Sequence, residues 1–126
     1  MKVLDSFAWF EYFSGSEAGK VVEKIVASRE QLGTPASCLA EFKRKRRREG
    51  KPWEKEVAFI EAKSAVLPLS GEIALRSGDI GELHFADALV YATALAHNAV
   101  LVTGDSHFKG LPGVSLLQGA SRPRSL

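Results

Sequence analysis

Cysteine is almost absent from this chain of 126 residues, which contains Cys38 alone. A single thiol excludes an internal disulfide, and no Cys/His spacing of the zinc-binding kind is present. Because disulfides are characteristic of secreted proteins, the composition favours a reducing compartment, and we expect a cytoplasmic protein. Cys38 itself is expected to be a small buried hydrophobic residue.

Long uncharged apolar runs are also missing. The longest apolar tract, residues 85–102, includes Asp87, His97 and Asn98, which would be costly to place in a bilayer. An acid at position 5 precedes any apolar core of useful length, so no signal peptide and no membrane segment is expected. Neither a Gly-rich nucleotide loop nor a Ser-centred nucleophile elbow is found, which argues against the phosphate and acyl chemistries that those motifs serve.

Excess positive charge is confined to one segment. The net charge is +2, yet residues 43–51 (KRKRRREGK) contain seven Lys or Arg and one Glu, so the rest of the chain is net acidic. The run has no apolar side chain, and helical spacing resumes at Trp53, Val57 and Ile60. We therefore expect a helical hairpin that projects into solvent with the basic run at its tip. Such a patch attracts phosphates, although an ordinary solvated charged face is the simpler interpretation.

Short apolar runs alternate with segments of helical periodicity. Strands are predicted at residues 3–4, 65–70, 100–103 and 114–117, and residues 31–35 form either a loop or a short edge strand. Helices are predicted after Asp5, at 17–28, after a Ser37 cap, and at 53–64, 71–77 and 85–97. Gly15 is expected to end the first helix, and Asn98 to end the last in a left-handed conformation. This alternation is typical of an α/β fold with a mainly parallel sheet. The length fits one domain, residues 1–117, followed by a loose tail at 118–126.

Four acids stand where strands end or helices begin: Asp5, Glu41, Asp87 and Asp105. In an open parallel sheet the carboxyl ends of the strands form the ligand crevice, and Asp5 and Asp105 both follow predicted strands. If all four acids converge, each pair about 4 Å apart repels by about 4 kcal/mol at an effective dielectric of about 20. Mg²⁺ or Mn²⁺ would make such a cluster tolerable, and metal-assisted phosphoryl transfer is its usual chemistry. The simpler interpretations are surface charges, a helix-terminal acid at Asp87 and a turn residue at Asp105.

The same residues carry a resemblance to PIN-domain ribonucleases of the VapC toxin type. It lies in residues 3–9 (VLDSFAW), 40–41 (AE), 85–94 (FADALVYATA) and 101–108 (LVTGDSHF), in the right order along nearly the whole chain. The resemblance implies a three-layer α/β fold with a central parallel sheet, here with the protruding helical hairpin, and endoribonuclease activity that depends on Mg²⁺ or Mn²⁺. By position, Asp5, Glu41 and Asp87 match three core acids, Asp105 a more variable fourth acid, and Thr103 a supporting hydroxyl residue. A homodimer and a neutralising antitoxin partner are also implied.

The resemblance says less about the remaining candidate site residues. The basic run is denser than that of a typical member, and three explanations are open: RNA binding, antitoxin docking or an adaptation peculiar to this protein. His84 and His107 lie close in sequence to Asp87 and Asp105, but imidazole suits zinc better than Mg²⁺, so we expect surface or packing residues. Ser6 either orients Asp5 or caps a helix. The residues predicted to bind RNA are Arg44, Arg46, Arg47 and Arg48.

Two other classes of function remain open. A catalytically silent module on the same fold would bind RNA or a partner without needing Mn²⁺ at the acids. A phospho-acceptor receiver domain also places acids at strand ends. It fits less well, because the first strand ends with one acid rather than a pair and no acid follows the strand at 65–70.

Overall fold

The computed structural model describes residues 1–118, and within them confirms the predicted α/β fold. The strands are β1 Lys2–Leu4, β2 Leu32–Pro35, β3 Ala65–Leu67, β4 Val100–Thr103 and β5 Val114–Leu116. The helices are α1 Ser6–Ser14, α2 Glu17–Ala27, α3 Ala36–Arg48, α4 Glu54–Lys63, α5 Gly71–Ser77 and α6 Phe85–Ala96, and a short 3₁₀ turn follows at Ser106–Phe108.

The five strands form one sheet in the order β3-β2-β1-β4-β5, and every neighbouring pair is parallel. The chain builds outward from β1 through β2 to β3, then crosses to the other side of β1 and adds β4 and β5. The strand order therefore reverses between β1 and β4. Open α/β sheets bind ligands outside the carboxyl ends of the strands at such a switch point.

Successive residues of the central strands face opposite sides of the sheet. Val3 and Leu101 belong to one buried cluster, which α6 completes, whereas Leu4 and Val102 belong to a second, which helices α1 to α4 complete. Both faces of the sheet are therefore covered, which gives the expected three layers. Cys38 is buried in the first cluster, as predicted.

Side-chain caps and left-handed residues mark the ends of several helices. The Asp5 carboxylate accepts a hydrogen bond from the Ala8 N–H at the start of α1, and Gly15, with φ of 69°, ends that helix. Ser16 caps α2 through the Gly19 N–H. Asn98, after the end of α6, has φ of 50°, which confirms the expected left-handed stop.

A chain of buried hydrogen bonds ties β2 to the helices on one face. The Trp9 indole N–H donates to Thr34 Oγ1 at 3.0 Å, and Thr34 Oγ1 lies 2.7 Å from Ser64 Oγ. The Ser64 hydroxyl donates to the Ile60 carbonyl at 2.7 Å, so the Thr34 hydroxyl is the donor to Ser64. The chain therefore satisfies three buried polar side chains that join α1, β2 and α4.

Two predictions around residue 35 were wrong. Residues Leu32–Pro35 form an interior strand, because β2 pairs with β1 on one side and with β3 on the other. Helix α3 begins at Ala36, directly after Pro35, and Ser37 is not its cap. Pro35 stands at the end of the strand, where its missing N–H costs little.

Residues 43–48 of the basic run form the second half of α3, and the prediction that the run projects into solvent was wrong for half of them. Three of its cations lie over aromatic rings, since long basic side chains can bury their stems. They are Lys43 at 4.2 Å from the Trp53 ring centroid, Lys45 at 5.0 Å from Phe10 and Arg46 at 5.4 Å from Phe42. Arg46 also faces Glu56 of α4 at 3.9 Å. Arg44, Arg47 and Arg48 are exposed.

The predicted tail falls almost entirely on residues 119–126, which lie outside the described part of the chain. Within residues 1–118, no helix is long and apolar enough to cross a membrane.

Candidate active site

Asp5 and Thr103 lie side by side at the carboxyl edge of the sheet. Leu4 of β1 pairs with Val102 of β4, so the next residue of each strand reaches the switch point together. Both residues have no solvent exposure. The Asp5 Oδ1 atom accepts the Ala8 N–H at 2.9 Å, and the Thr103 hydroxyl oxygen accepts the Asp105 N–H at 3.1 Å. Thr103 thus fixes the backbone from which Asp105 projects.

Ser6, the residue after Asp5, contacts a second acid, Glu41. Its hydroxyl donates to Glu41 Oε1 at 3.2 Å, and Ser6 is 3% exposed. Because Asp5, not Ser6, supplies the capping carboxylate of α1, the Ser6 hydroxyl is available for this bond. Of the two roles predicted for Ser6, helix capping is excluded, and its hydroxyl contacts Glu41 of α3.

Asp87 and Asp105 meet across the same edge. Asp87 lies in the first turn of α6, and Asp105 follows β4 and caps the 3₁₀ turn by accepting the His107 N–H at 3.0 Å. The two acids are 2% and 0% exposed. His107 stands between them, with its Nδ1 atom 2.9 Å from Asp105 Oδ1 and 4.0 Å from Asp87 Oδ2.

The donor set of these three residues fits a divalent cation. One ligand atom from each of Asp87, Asp105 and His107 lies within 4.8 Å of the other two. Two ionised carboxylates in a buried site are costly without a compensating positive charge, and carboxylate oxygens are the ligands that Mg²⁺ and Mn²⁺ prefer. The arrangement therefore suits a metal centre at the carboxyl edge.

The structure places all the predicted acids at one edge of the sheet but groups them unevenly. Asp87 and Asp105 belong to the three-atom group, whereas Asp5 and Glu41 do not, and Glu41 instead accepts a hydrogen bond from Ser6, the residue after Asp5. The sequence predicted a surface or packing residue at His107, and the structure places its Nδ1 atom beside both Asp105 and Asp87. Its contact with Asp87 depends on the packing of α6 beside the turn after β4, and the sequence separates these residues by 20 positions.

The predicted RNA-binding arginines divide into two kinds. Arg44, Arg47 and Arg48 are exposed, and their spacing of three and four residues places them on one face of α3. Arg46 is held against Phe42 and Glu56, with a side-chain exposure of 17%. Glu41 precedes Arg44 by three residues, so the exposed arginines begin one helical turn beyond a site acid.

A five-stranded parallel sheet covered by helices on both faces, with acids gathered at its switch point, defines a class of three-layer α/β proteins. The family model described as "PIN domain" matches residues 2–114, and the chain belongs to this family.

Solved structures with the same fold include toxin and antitoxin assemblies. A toxin-antitoxin complex from Klebsiella pneumoniae has a TM-score of 0.76 at 24% identity, covering 91% of this chain and 96% of that one. VapBC2 from Rickettsia felis, bound to a promoter DNA fragment, has a TM-score of 0.72 at 17% identity, with coverage of 91% and 96%. VapC20 from Mycobacterium tuberculosis, described as a toxin that cleaves the sarcin-ricin loop, has a TM-score of 0.71 at 15% identity, with coverage of 93% and 99%. No curated protein sequence matched the chain.

Proposed function

We propose that the protein is an endoribonuclease that uses Mg²⁺ or Mn²⁺ to hydrolyse phosphodiester bonds in RNA. The observation that carries the proposal is the meeting of buried Asp87 and Asp105 at the carboxyl edge of the central strands. Family membership supports a nuclease, and the solved structures of the same fold support the toxin of a two-component toxin-antitoxin system.

Each residue of the site has a definite task in this proposal. Asp87 and Asp105 would hold the cation, and Asp5 and Glu41 would bind it directly or through water. When bound, a divalent cation supplies charge for the phosphate oxygens and lowers the pKa of water to generate the nucleophile. Ser6 orients Glu41, and Thr103 fixes the backbone of Asp105. No side-chain nucleophile is required.

The exposed face of α3 supplies the attraction for RNA that an acid cluster lacks. Arg44, Arg47 and Arg48 would contact phosphates, whereas Arg46 supports the packing of α3 against α4. The four arginines therefore are not equivalent in the proposal.

The proposal also includes an antitoxin partner, a homodimer and a cytoplasmic location. Solved toxin and antitoxin complexes of the same fold support the antitoxin. The homodimer follows from the resemblance of the sequence to VapC toxins, and the single cysteine supports a reducing compartment.

Cleavage assays on the purified full chain test the enzyme. A panel of transfer RNA, ribosomal RNA and short single strands is incubated with Mn²⁺, with Mg²⁺ or with EDTA. Asp87→Asn is compared with Glu61→Gln, an acid-to-amide change at an exposed position in α4, just before the amino end of β3. We expect cleavage that requires the cation, survives in Glu61→Gln and is lost in Asp87→Asn with an unchanged circular dichroism spectrum.

The same experiment separates the enzyme from the silent module. Calorimetry of Mn²⁺ binding accompanies the cleavage assay for each variant. Cation binding at Asp87 with no cleavage of any RNA would contradict the enzyme, and the absence of both would favour the silent RNA-binding or partner-binding module.

A further inference from the structure

His107 adds an imidazole to a site whose other members are acids. Its Nδ1 atom approaches carboxylate oxygens of both Asp105 and Asp87, at 2.9 Å and 4.0 Å. Ligand atoms that share an octahedral cation at about 2.1 Å lie about 3 Å apart in neighbouring positions and about 4 Å apart in opposite ones. The separations around His107 therefore match those of atoms that bind one ion.

The fold fixes the histidine from both sides. Asp105 Oδ1 accepts the backbone N–H of His107, and the Asp105 carbonyl accepts the Phe108 N–H at 3.1 Å. Phe108, the next residue, is 0% exposed and belongs to the buried cluster beneath α6. The imidazole itself is 36% exposed, so solvent and ions in the crevice can reach it.

Two functions are possible for an imidazole in this position. A hydrogen bond from Nδ1 could orient the Asp105 carboxylate, which would make His107 a positioning residue. The Asp105 carboxylate, however, already accepts the backbone N–H of His107, which orients it without the side chain. Nδ1 also faces a second carboxylate, that of Asp87. A residue that served only to orient Asp105 would not need this second approach.

We propose that Nδ1 of His107 is a direct ligand of the cation held by Asp87 and Asp105, and that it makes the site prefer Mn²⁺ to Mg²⁺. The inference rests on the proposed metal-dependent function. Mg²⁺ favours sites made of oxygen ligands alone, whereas affinity for nitrogen ligands rises along the transition series. A mixed site with two carboxylates and one imidazole therefore binds Mn²⁺ better than a site in which a water replaces the imidazole.

Pulsed EPR of Mn²⁺ bound to the full chain tests the ligand directly, because a coordinated imidazole couples its ¹⁴N nucleus to the ion. Calorimetry measures the Mn²⁺ and Mg²⁺ affinities of the wild type and of three variants. His107→Ala removes the side chain, and His107→Asn keeps an amide that can donate a hydrogen bond near the Nδ1 position. His84→Ala is the matched control, since the His84 ring lies 5.5 Å from the His107 ring but outside the three-atom group.

The expected result is nitrogen coupling in the wild type and in His84→Ala, and none in either His107 variant. Mn²⁺ affinity should fall by about tenfold or more in both His107 variants. Mg²⁺ affinity should change by less than about threefold, so the preference for Mn²⁺ is lost. Because the wild-type spectrum is informative alone, the proposal is tested even if a variant does not fold.

Failure of this inference is distinguishable from failure of the proposed function. Mn²⁺ that binds without nitrogen coupling, or an unchanged Mn²⁺ to Mg²⁺ affinity ratio in His107→Asn, would overturn the ligand role. If Asp87→Asn still abolished Mn²⁺ binding and cleavage in that case, the metal-dependent ribonuclease would stand. A wild type that binds neither cation would overturn both.

Discussion

Replacing Arg44, Arg47 and Arg48 together with Ser is expected to remove most of the salt dependence of RNA binding and leave the fold unchanged. The three side chains are exposed, and they lie on one face of α3. Among residues 1–118, they take part in no ion pair or ring contact of the kind that holds their neighbours Lys43, Lys45 and Arg46. Their loss therefore changes the surface potential and little of the packing.

The magnitude follows from counterion release. Each phosphate contact with a single strand contributes about −0.7 to the slope of log affinity against log salt, so three contacts contribute about −2. Raising the salt from about 50 mM to about 200 mM should then weaken wild-type binding about 20-fold through these residues alone. The triple variant should lack this component and bind more weakly at low salt.

Fluorescence anisotropy of a labelled single-stranded RNA measures this slope. Both proteins carry Asp87→Asn, so that the RNA stays intact, and divalent ions are held constant during the titration. A slope in the triple variant equal to that of its parent would refute the assignment of this face to RNA.

Arg46→Ser supplies the control within the same basic run. It removes one positive charge, as each change in the triple variant does, but from a side chain that is 17% exposed and lies against Phe42 and Glu56. We expect a slope close to that of the parent and a loss of about 1–2 kcal/mol in the free energy of unfolding, from the ring contact and the ion pair together. A large change of slope with unchanged stability would contradict this division of the arginines.

Two further predictions concern buried hydroxyl groups. Thr34→Val keeps the shape of the side chain but leaves the Trp9 N–H without its acceptor. We expect the free energy of unfolding, measured in urea, to fall by about 1–3 kcal/mol. An unchanged free energy of unfolding would contradict the hydrogen-bond chain. Burial, and secondly the Glu82 carboxylate, raises the pKa of Tyr91, whose hydroxyl donates to the Pro112 carbonyl at 2.6 Å. The folded state therefore holds this proton more tightly, and the resulting stability is present below the ordinary pKa of about 10 and lost as the pH rises through the folded value. Tyr91→Phe should lower stability at pH 7 by about 1 kcal/mol and reduce its alkaline decline, which urea unfolding at a series of pH values measures.

The parts of the fold that the sequence predicted correctly are those encoded by neighbouring residues. The cap at Asp5, the left-handed Gly15 and the stop at Asn98 depend on backbone geometry within one turn. Strand β4 is a run of apolar and β-branched residues, a composition that predicts a buried strand even when its neighbouring strands are unknown. The acids could be placed at the carboxyl edge because parallel strands expose the same end together.

Tertiary pairing decided the features that the sequence did not reveal. Leu32–Pro35 has no alternating pattern, and it becomes an interior strand because β1 and β3 pair with it on both sides. The packing of Lys45 depends on Phe10 of α1, which periodicity within α3 does not include. For the same reason the approach of His107 to Asp87 requires the docking of α6 beside the turn after β4.

The arrangement of charge along α3 explains how an acidic site can bind a polyanion. A cluster of carboxylates repels phosphates, and a bound cation offsets that repulsion only at short range. Glu41 is one of the acids of the proposed site, and Arg48 stands seven residues further along the same helix, a rise of about 10 Å at about 1.5 Å per residue. That distance is close to the Debye length of about 8 Å at physiological salt, so salt does not fully screen the arginines from a phosphate near the site. An RNA strand that extends along α3 from the site would therefore be attracted by the exposed arginines. In the proposed enzyme, α3 thus supplies a site acid near its middle and, about two turns later, the charge that would hold the adjoining nucleotides.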